Sequence, residues 1–321
     1  GRTIIVSNTT PTSADGVTWT NQAALAATAF STNTVTSVVY TGTAWVVTSS
    51  GGVTAASTDN GVTWTAYTTL QTALGGTTPN TPSILTGLVA GSSGTVMAYG
   101  SRGAFAYSAD NGATWTMYEG PCRTLTNVLN TKQSVGTDGI RKVHWNGSQF
   151  MAVGCGLTAS TSPDGVNWTP RNGMRRYYNA SILGTLASAV AYSGSLYMVG
   201  CDSSRLFTSS DGGATWTYLN TYNALVTGTT IFGLAYGNTR FVGVGSSNRR
   251  LSSNDNGATW STGTIWTTGQ ANALTFGNGL FAACGGSSNL STSADGITWT
   301  SYQATVQATA FGTQTSWAIG Y

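Results

Sequence analysis

The acidic side chains are the first candidates for chemistry, because glycoside hydrolysis generally needs two carboxyl groups at a defined separation. The chain has 321 residues, of which only ten are Asp or Glu. Only Glu119, Asp138 and Asp202 lie outside one repeated motif. The motif contains the other seven, which are Asp15, Asp59, Asp110, Asp164, Asp211, Asp255 and Asp295.

The three remaining acids do not predict a hydrolase. Glu119 and Asp138 flank one long predicted loop, whereas Asp202 follows a predicted strand of a later repeat. Since nothing in this spacing brings two of them together, we expect no catalytic residue and no enzyme activity. A glycoside hydrolase that depends on Glu119 is the alternative.

Histidine and cysteine chemistry is equally restricted. His144 is the only histidine, which excludes a multi-histidine metal site and disfavours a Ser-His-Asp triad. We expect it to pack or to line a central channel, because other repeats place small or apolar residues at its position. No loop gathers several acids for calcium, so we predict no metal and no cofactor. The cysteines lack C-x-x-C spacing and are predicted to be free, buried thiols: Cys122, Cys155, Cys201 and Cys284.

The repeated motif has the composition of a tight turn. Its second copy reads Ser57-Thr58-Asp59-Asn60-Gly61-Val62-Thr63-Trp64. Short Ser and Asp side chains accept hydrogen bonds from a turn backbone, Gly adopts positive φ, and Val-Thr-Trp restarts an extended strand. The motif therefore predicts a β-hairpin turn, and its Trp should pack between neighbouring repeats. The copies end at Trp19, Trp64, Trp115, Trp168, Trp216, Trp260 and Trp299.

The spacing of these motifs predicts the architecture. Consecutive motif Trp residues are 39 to 53 residues apart. Repeats of this length indicate solenoids, propellers or arrays. Two further strand signals precede the motif, as in 188–194 and 196–200. Each repeat therefore has four short strands, A to D, with the motif between C and D. No segment has a convincing helical period. We predict an all-β fold, a seven-bladed β-propeller of four-stranded antiparallel blades, in which residues 1–321 form a single domain.

The termini are expected to complete the ring together. The first motif follows only twelve residues, and the chain ends with segments 308–312 and 316–320, which are predicted as strands A and B. The last blade should therefore contain both termini. Both Ile4-Ile5-Val6 and Trp317-Ala318-Ile319 qualify as strand B, and the sequence does not decide between them.

The motif resembles the Asp box of the bacterial neuraminidase repeat propellers, which occur among sialidases, some glycosidases and lectins, and photosystem assembly factors. The resemblance covers essentially the whole chain. It implies that the motifs are structural turns on the face away from the ligand site. Sialidases also have a catalytic set with an early Arg-Ile-Pro sequence, but the nearest match here, Arg2-Thr3-Ile4, departs from it.

The basic residues predict a binding face. In a propeller the D-to-A loops and B-to-C turns emerge at one end, here called the loop-bearing face. The A-to-B turns and the motif turns emerge at the other, here called the motif face. Nine of the thirteen basic residues map to the loop-bearing face. Guanidinium groups bind carboxylate, sulfate or phosphate, and Tyr rings can stack on sugars. The predicted ligand-binding residues are Arg102, Arg123, Arg171, Arg175, Arg176, Tyr177, Tyr178, Arg205, Arg249 and Arg250.

These features favour a non-enzymatic recognition or adhesion module that binds an anionic glycan or a cell-surface receptor. A structural subunit of a virion, tail fibre or appendage is the second interpretation, because only 7% of residues are charged. Such a protein is expected at an extracellular, cell-surface or virion surface. The short apolar runs predict no membrane insertion. A net charge of +3 is too mild to favour nucleic acid.

Overall fold

The computed structural model describes most of the strands that the sequence predicts. The described residues are 3–6, 10–13, 20–22, 35–49, 51–74, 85–92, 94–100, 104–118, 139–154, 156–171, 173–174, 186–219, 228–286, 289–302 and 318–320. They form seven four-stranded antiparallel sheets. The predicted β-propeller with four-stranded antiparallel blades is confirmed.

Six blades are each built from four consecutive strands, in the order A, B, C, D. The A strands are Val35–Tyr40 (β4), Leu85–Ala90 (β8), Ile140–Trp145 (β12), Ala187–Tyr192 (β16), Ile231–Gly237 (β20) and Ala271–Gly277 (β24). The B strands are Trp45–Ser49 (β5), Val96–Gly100 (β9), Phe150–Gly154 (β13), Tyr197–Cys201 (β17), Arg240–Gly245 (β21) and Leu280–Gly285 (β25).

The outer strands of these blades are shorter. The C strands are Thr54–Ser57 (β6), Phe105–Ser108 (β10), Thr158–Ser162 (β14), Leu206–Ser209 (β18), Arg249–Ser253 (β22) and Leu290–Ser293 (β26). The D strands are Thr65–Tyr67 (β7), Thr116–Met117 (β11), Thr169–Pro170 (β15), Thr217–Tyr218 (β19), Ser261–Thr264 (β23) and Thr300–Ser301 (β27).

The remaining sheet joins the two ends of the chain. Its order is Ala318–Gly320 (β28), Thr3–Val6 (β1), Thr10–Ser13 (β2) and Thr20–Gln22 (β3). The C-terminal strand therefore occupies the A position that the sequence assigned to 308–312, and β1 occupies the B position. Both candidate strands are used, because β28 pairs with β1 rather than replacing it. Residues 308–312 lie outside the described residues.

The A strands form a closed ring around the axis of the propeller. Each of β4, β8, β12, β16, β20, β24 and β28 lies against the next, and β28 lies against β4. The hydrophobic core is divided among the spaces between blades. Met151 and Val153 of one blade pack with Val190 and Phe207 of the next, for example. Ring closure thus brings A strands from distant parts of the sequence around one channel.

The described motif turns connect strands C and D, as predicted. In the second copy the Asp59 carboxylate accepts hydrogen bonds from the Ser57 hydroxyl at 2.8 Å and the Thr63 backbone N–H at 2.9 Å. The Trp64 indole N–H donates to the Gly61 carbonyl at 3.0 Å, and the ring is 7% exposed. Asp15 and Trp19 of the first copy lie outside the described residues.

Short helical segments in the described part of the chain depart from the all-strand prediction. Thr69–Ala73 (α1) lies in the D-to-A loop after β7 and buries Leu70. A 3-10 turn, Ser246–Asn248, connects β21 to β22. A single helical turn is too short to give a helical period, so the sequence did not reveal α1. Among the described residues, no helix is long and apolar enough to cross a membrane.

Candidate ligand site at the channel mouth

The ring of A strands encloses a channel of about 500 Å³. Almost all of its lining residues belong to A strands, from Thr36 in β4 to Ile319 in β28. A volume of this size is within the range of roughly 300–1,000 Å³ that small-molecule sites occupy. The channel is therefore large enough to receive part of a ligand.

Each of the six A strands from β4 to β24 has a β-bulge at its second residue. In β12, for example, Ile140 pairs with Gly154 and Lys142 pairs with Val153, so that Arg141 is the extra residue. Each A strand begins where the D-to-A loop ends, so the bulges ring the channel mouth on the loop-bearing face. The bulged residues are Thr36, Thr86, Arg141, Ser188, Phe232 and Asn272.

In two blades the bulged hydroxyl ties one blade to the next. Thr86 donates to the backbone carbonyl of Ile140 at 3.1 Å, and Ser188 donates to that of Ile231 at 2.6 Å. Each acceptor is the first residue of the following A strand. A bulge re-aims a side chain, and here it aims a hydroxyl at the neighbouring blade.

Arg141 and Lys142 break this pattern in β12. Both residues are exposed and belong to the lining of the channel. The residue that follows the bulge is buried at Ser37, Gly87 and Ala189 in other blades, whereas Lys142 is exposed. Two adjacent cations therefore occupy the channel mouth where the other blades have small residues, hydroxyls, Phe or Asn.

The charged side chains in the described channel lining are all positive. The described channel lining contains Arg141, Lys142 and His144 but no carboxylate. Burial and the nearby Lys142 lower the pKa of His144 to about 4, so its ring is neutral near pH 7. The positive charge is therefore concentrated at the mouth, where it can attract an anion. The prediction that His144 packs in or lines a channel is confirmed.

The structure separates the described members of the predicted basic set. Arg205 and Arg249 lie at B-to-C turns on the loop-bearing face, and Arg205 pairs with Asp202 at 3.4 Å. Arg249 is exposed. Six members lie outside the described residues: Arg102, Arg123, Arg175, Arg176, Tyr177 and Tyr178.

The assignment of Arg250 to the ligand site is wrong. Its side chain is only 5% exposed and donates to the Ser252 hydroxyl at 3.2 Å and to the Gly296 carbonyl of the next blade at 3.3 Å. Strand alternation explains the error, because consecutive residues of β22 point in opposite directions. Arg249 is exposed, and Arg250 is turned between the blades toward a motif turn.

Arg171 is also directed away from the predicted site. Its Nε donates to the Thr161 hydroxyl at 2.9 Å. Its aliphatic stem lies near Gly213, in the motif turn of the next blade. Arg171 therefore packs toward the motif face beside a motif turn. It does not point to the predicted ligand site on the loop-bearing face.

The described carboxylates have structural partners. The pKa values of Asp59, Asp211 and Asp255 are lowered to about 2, first by a Thr hydroxyl and then by the same Thr backbone N–H. Those Thr residues are Thr63, Thr215 and Thr259. Glu119 and Asp138 lie outside the described residues, so their predicted separation is untested.

The described cysteines are inaccessible. Cys201 and Cys284 are free and fully buried, in agreement with the prediction for these two. Burial raises the pKa of both thiols, to about 12 for Cys284. Cys122 and Cys155 lie outside the described residues. No group of three or more His, Cys, Asp or Glu side chains that could hold a metal ion occurs in the described part of the chain.

Comparison with known proteins agrees with this architecture. The family model described as the DUF6242 beta propeller domain matches residues 2–225. The chain belongs to this DUF6242 propeller family. A search among curated proteins found no match for the propeller.

Solved structures show the same fold at low identity. YCF48 bound to D1 peptide is 17% identical, with a TM-score of 0.60 over 87% of this chain and 84% of that one. YCF48 from Cyanidioschyzon merolae is also 17% identical, with a TM-score of 0.62 over 87% of each chain. The computationally designed Ika8 protein is 9% identical, with a TM-score of 0.53 over 88% of this chain and 79% of that one.

Arg141 and Lys142 could have been recognised from the sequence. They were overlooked because only basic residues in predicted loops and turns were assigned to the binding face. Aligning the A strands on their buried first residue places Arg141 in a column with Thr36, Thr86 and Ser188. A charged pair in a column that otherwise holds uncharged residues marks a departure from the repeat. Real proteins depart from their own structural rules mainly at functional or strained sites.

Proposed function

We propose that this DUF6242 propeller is a non-enzymatic recognition module that binds an anionic glycan at its loop-bearing face. The observation that carries the proposal is the pair of exposed cations, Arg141 and Lys142, in a described channel lining without carboxylates. A guanidinium group forms bidentate hydrogen bonds with carboxylate, sulfate or phosphate. Arg249 adds a further exposed cation at the same face.

Recognition fits the described acids better than hydrolysis. The carboxylates of the motif turns accept hydrogen bonds that hold those turns, and Asp202 pairs with Arg205. A glycosidase would need two carboxyl groups near its ligand. The resemblance of the motifs to Asp boxes belongs to the same proposal, since it makes the motif face structural and the opposite face the binding surface.

An anionic peptide is the second candidate ligand. One structural neighbour, YCF48, was solved bound to D1 peptide. The cationic mouth would suit acidic peptide groups as well as acidic sugars. A surface subunit of a virion, tail fibre or appendage is compatible with either ligand, and we propose an extracellular or virion surface as the location.

A glycan array tests the proposal when it is run with wild-type protein and with an Arg141→Gln/Lys142→Gln double variant. Wild-type protein should bind sulfated, sialylated or uronic-acid glycans, and the double variant should lose most of this signal. Arg240→Gln is the matched control, because Arg240 begins β21 at the motif face. The proposal fails if no anionic glycan binds, or if the double variant binds as well as the control.

A further inference from the structure

The cations of the channel mouth belong to the innermost strand of the blade, and this position restricts how a ligand can reach them. We infer that Arg141 and Lys142 form a site for one oxyanion group at the end of a glycan chain, which enters the channel mouth end-on. The inference rests on the proposed function and makes it more specific. The oxyanion is a carboxylate, sulfate or phosphate.

The position that Lys142 occupies in β12 serves packing between blades elsewhere in the propeller. A Cβ added at Gly87 would collide with the hydroxyl of Tyr99, and one at Gly233 would lie 2.9 Å from Cβ of Leu274. Ser37 accepts a hydrogen bond from the backbone N–H of Leu88 in the next blade at 2.9 Å. In these blades small residues allow close contact, whereas β12 has an exposed Lys142 at this position.

Arg141 and Lys142 are expected to lower the stability of the propeller. Arg141 replaces a residue type that ties adjacent blades at Thr86 and Ser188. It also lies next to a like charge, which is unfavourable. Two adjacent cations at positions that serve packing between blades elsewhere are explained by a ligand whose negative charge the pair binds.

A ligand reaches the channel cations by a different route from the other exposed basic residues of the loop-bearing face. Arg205 and Arg249 lie at B-to-C turns, outside the ring of A strands, whereas Arg141 and Lys142 line the channel itself. A chain that lies across the loop-bearing face meets the turns first. Only a group that enters the ring meets both channel cations, so the preferred group is terminal.

The rest of the mouth suits the last sugar of a chain. The lining near the bulges includes the hydroxyl of Thr36, the amide of Asn272 and the aromatic ring of Phe232. Hydroxyl and amide groups match sugar hydroxyls, and an aromatic ring can pack against the C–H face of a sugar. His144 is two residues further along β12 and is neutral near pH 7, so the two cations at the mouth determine where the anion binds.

Calorimetric titration with small probes tests the oxyanion. The probes are glucuronic acid, glucose 6-sulfate, glucose 6-phosphate and, as the neutral control, glucose. At least one anionic probe should bind and glucose should not, and comparison of the three identifies the preferred oxyanion. Arg141→Gln should weaken that binding by about 10- to 100-fold, because a charge-assisted bidentate pair is lost. Arg240→Gln, the matched control at the motif face, should change it less than about threefold.

A second titration tests end-on entry. Two oligosaccharides of equal length and charge are compared, one with its acidic sugar at the non-reducing end and one with that sugar inside the chain. The terminal acid should bind at least about tenfold more tightly, because the internal acid cannot reach both cations. Equal affinities, or binding that is insensitive to Arg141→Gln, would overturn the inference.

The outcomes also separate this inference from the proposed function. Anionic glycans that bind through Arg205 and Arg249, without a preference for terminal acids, would leave the proposed function standing and overturn the end-on site. Absence of binding by every anionic glycan would overturn both. Binding of an acidic peptide through its free C-terminal carboxylate, with no sugar acid bound, would overturn the assignment to glycan ends.

Discussion

Replacing Arg141 by Thr should make the propeller more stable while removing its ability to bind an anionic ligand. The change restores the residue type found at the bulges of β4 and β8, which are Thr36 and Thr86. Thr86 donates at 3.1 Å to the first residue of the next A strand, Ile140. In β12 the corresponding acceptor is the carbonyl of Ala187, which begins the next A strand.

The expected gain follows from two contributions. One new hydrogen bond within a protein contributes about 0.5–1.5 kcal/mol to its stability. Loss of the repulsion between Arg141 and Lys142 adds roughly 0.7 kcal/mol, for unit charges about 6 Å apart in water. The free energy of unfolding should therefore rise by about 1–2 kcal/mol. For a chain of this length this corresponds to a rise in Tm of about 1.5–3 °C.

Urea denaturation and thermal melting measure the stability, and the glycan titration measures the binding. Thr86→Val is the matched control, because it removes the existing tie between blades and should lower the free energy of unfolding by about 1 kcal/mol. The prediction is wrong if Thr86→Val destabilises the protein as expected but Arg141→Thr leaves its stability unchanged or lower. In that case Arg141 would itself support the ring.

Three further predictions test the fold and its titrating groups. Arg250→Met should lower the free energy of unfolding by about 1–2 kcal/mol, because the Gly296 carbonyl loses its donor. Glycan binding by this variant should not change. Loss of binding without loss of stability would instead show that Arg250 contacts the ligand. Trp115→Ala should lower the free energy of unfolding, measured by urea denaturation, by about 3–5 kcal/mol, since the ring is 9% exposed and packs between blades. A decrease below about 1 kcal/mol would contradict this packing role. Because burial and Lys142 lower the pKa of His144 from 6.5 to about 4, stability should fall by at most about 3 kcal/mol as the pH falls from 6.5 to 4. His144→Gln should flatten this profile, and an unchanged profile would show that other groups cause it.

The turns of the repeated motif could be predicted from the local sequence. Ser, Asp, Gly and Trp of one copy make their hydrogen bonds within eight residues, as in Ser57 to Trp64. Such contacts depend on turn chemistry alone, so the sequence was enough to place the turns and the strands beside them. The four-stranded blades followed because each turn fixes the pairing of its two strands.

The pairing of the N- and C-terminal strands could be predicted only in part from the sequence. The sequence indicated that both termini contribute to one sheet, but β28 and β1 both looked like strand B. Short apolar strands have the same composition at either position. Their order was decided by the ring, which requires a strand between β24 and β4.

The fold class, the repeated turns and the small numbers of acidic and basic residues follow from the sequence alone. Whether a basic side chain faces the channel, the loop-bearing face or the interior depends on the folded structure. Arg249 and Arg250 are neighbours in sequence, yet the strand pleat exposes one and buries the other. Arg141 and Lys142 lie in a strand, not a loop, and became candidates because a bulge and the closed ring place both at the channel mouth. Side-chain direction and ring closure depend on contacts between residues far apart in sequence, which is why local patterns do not predict them.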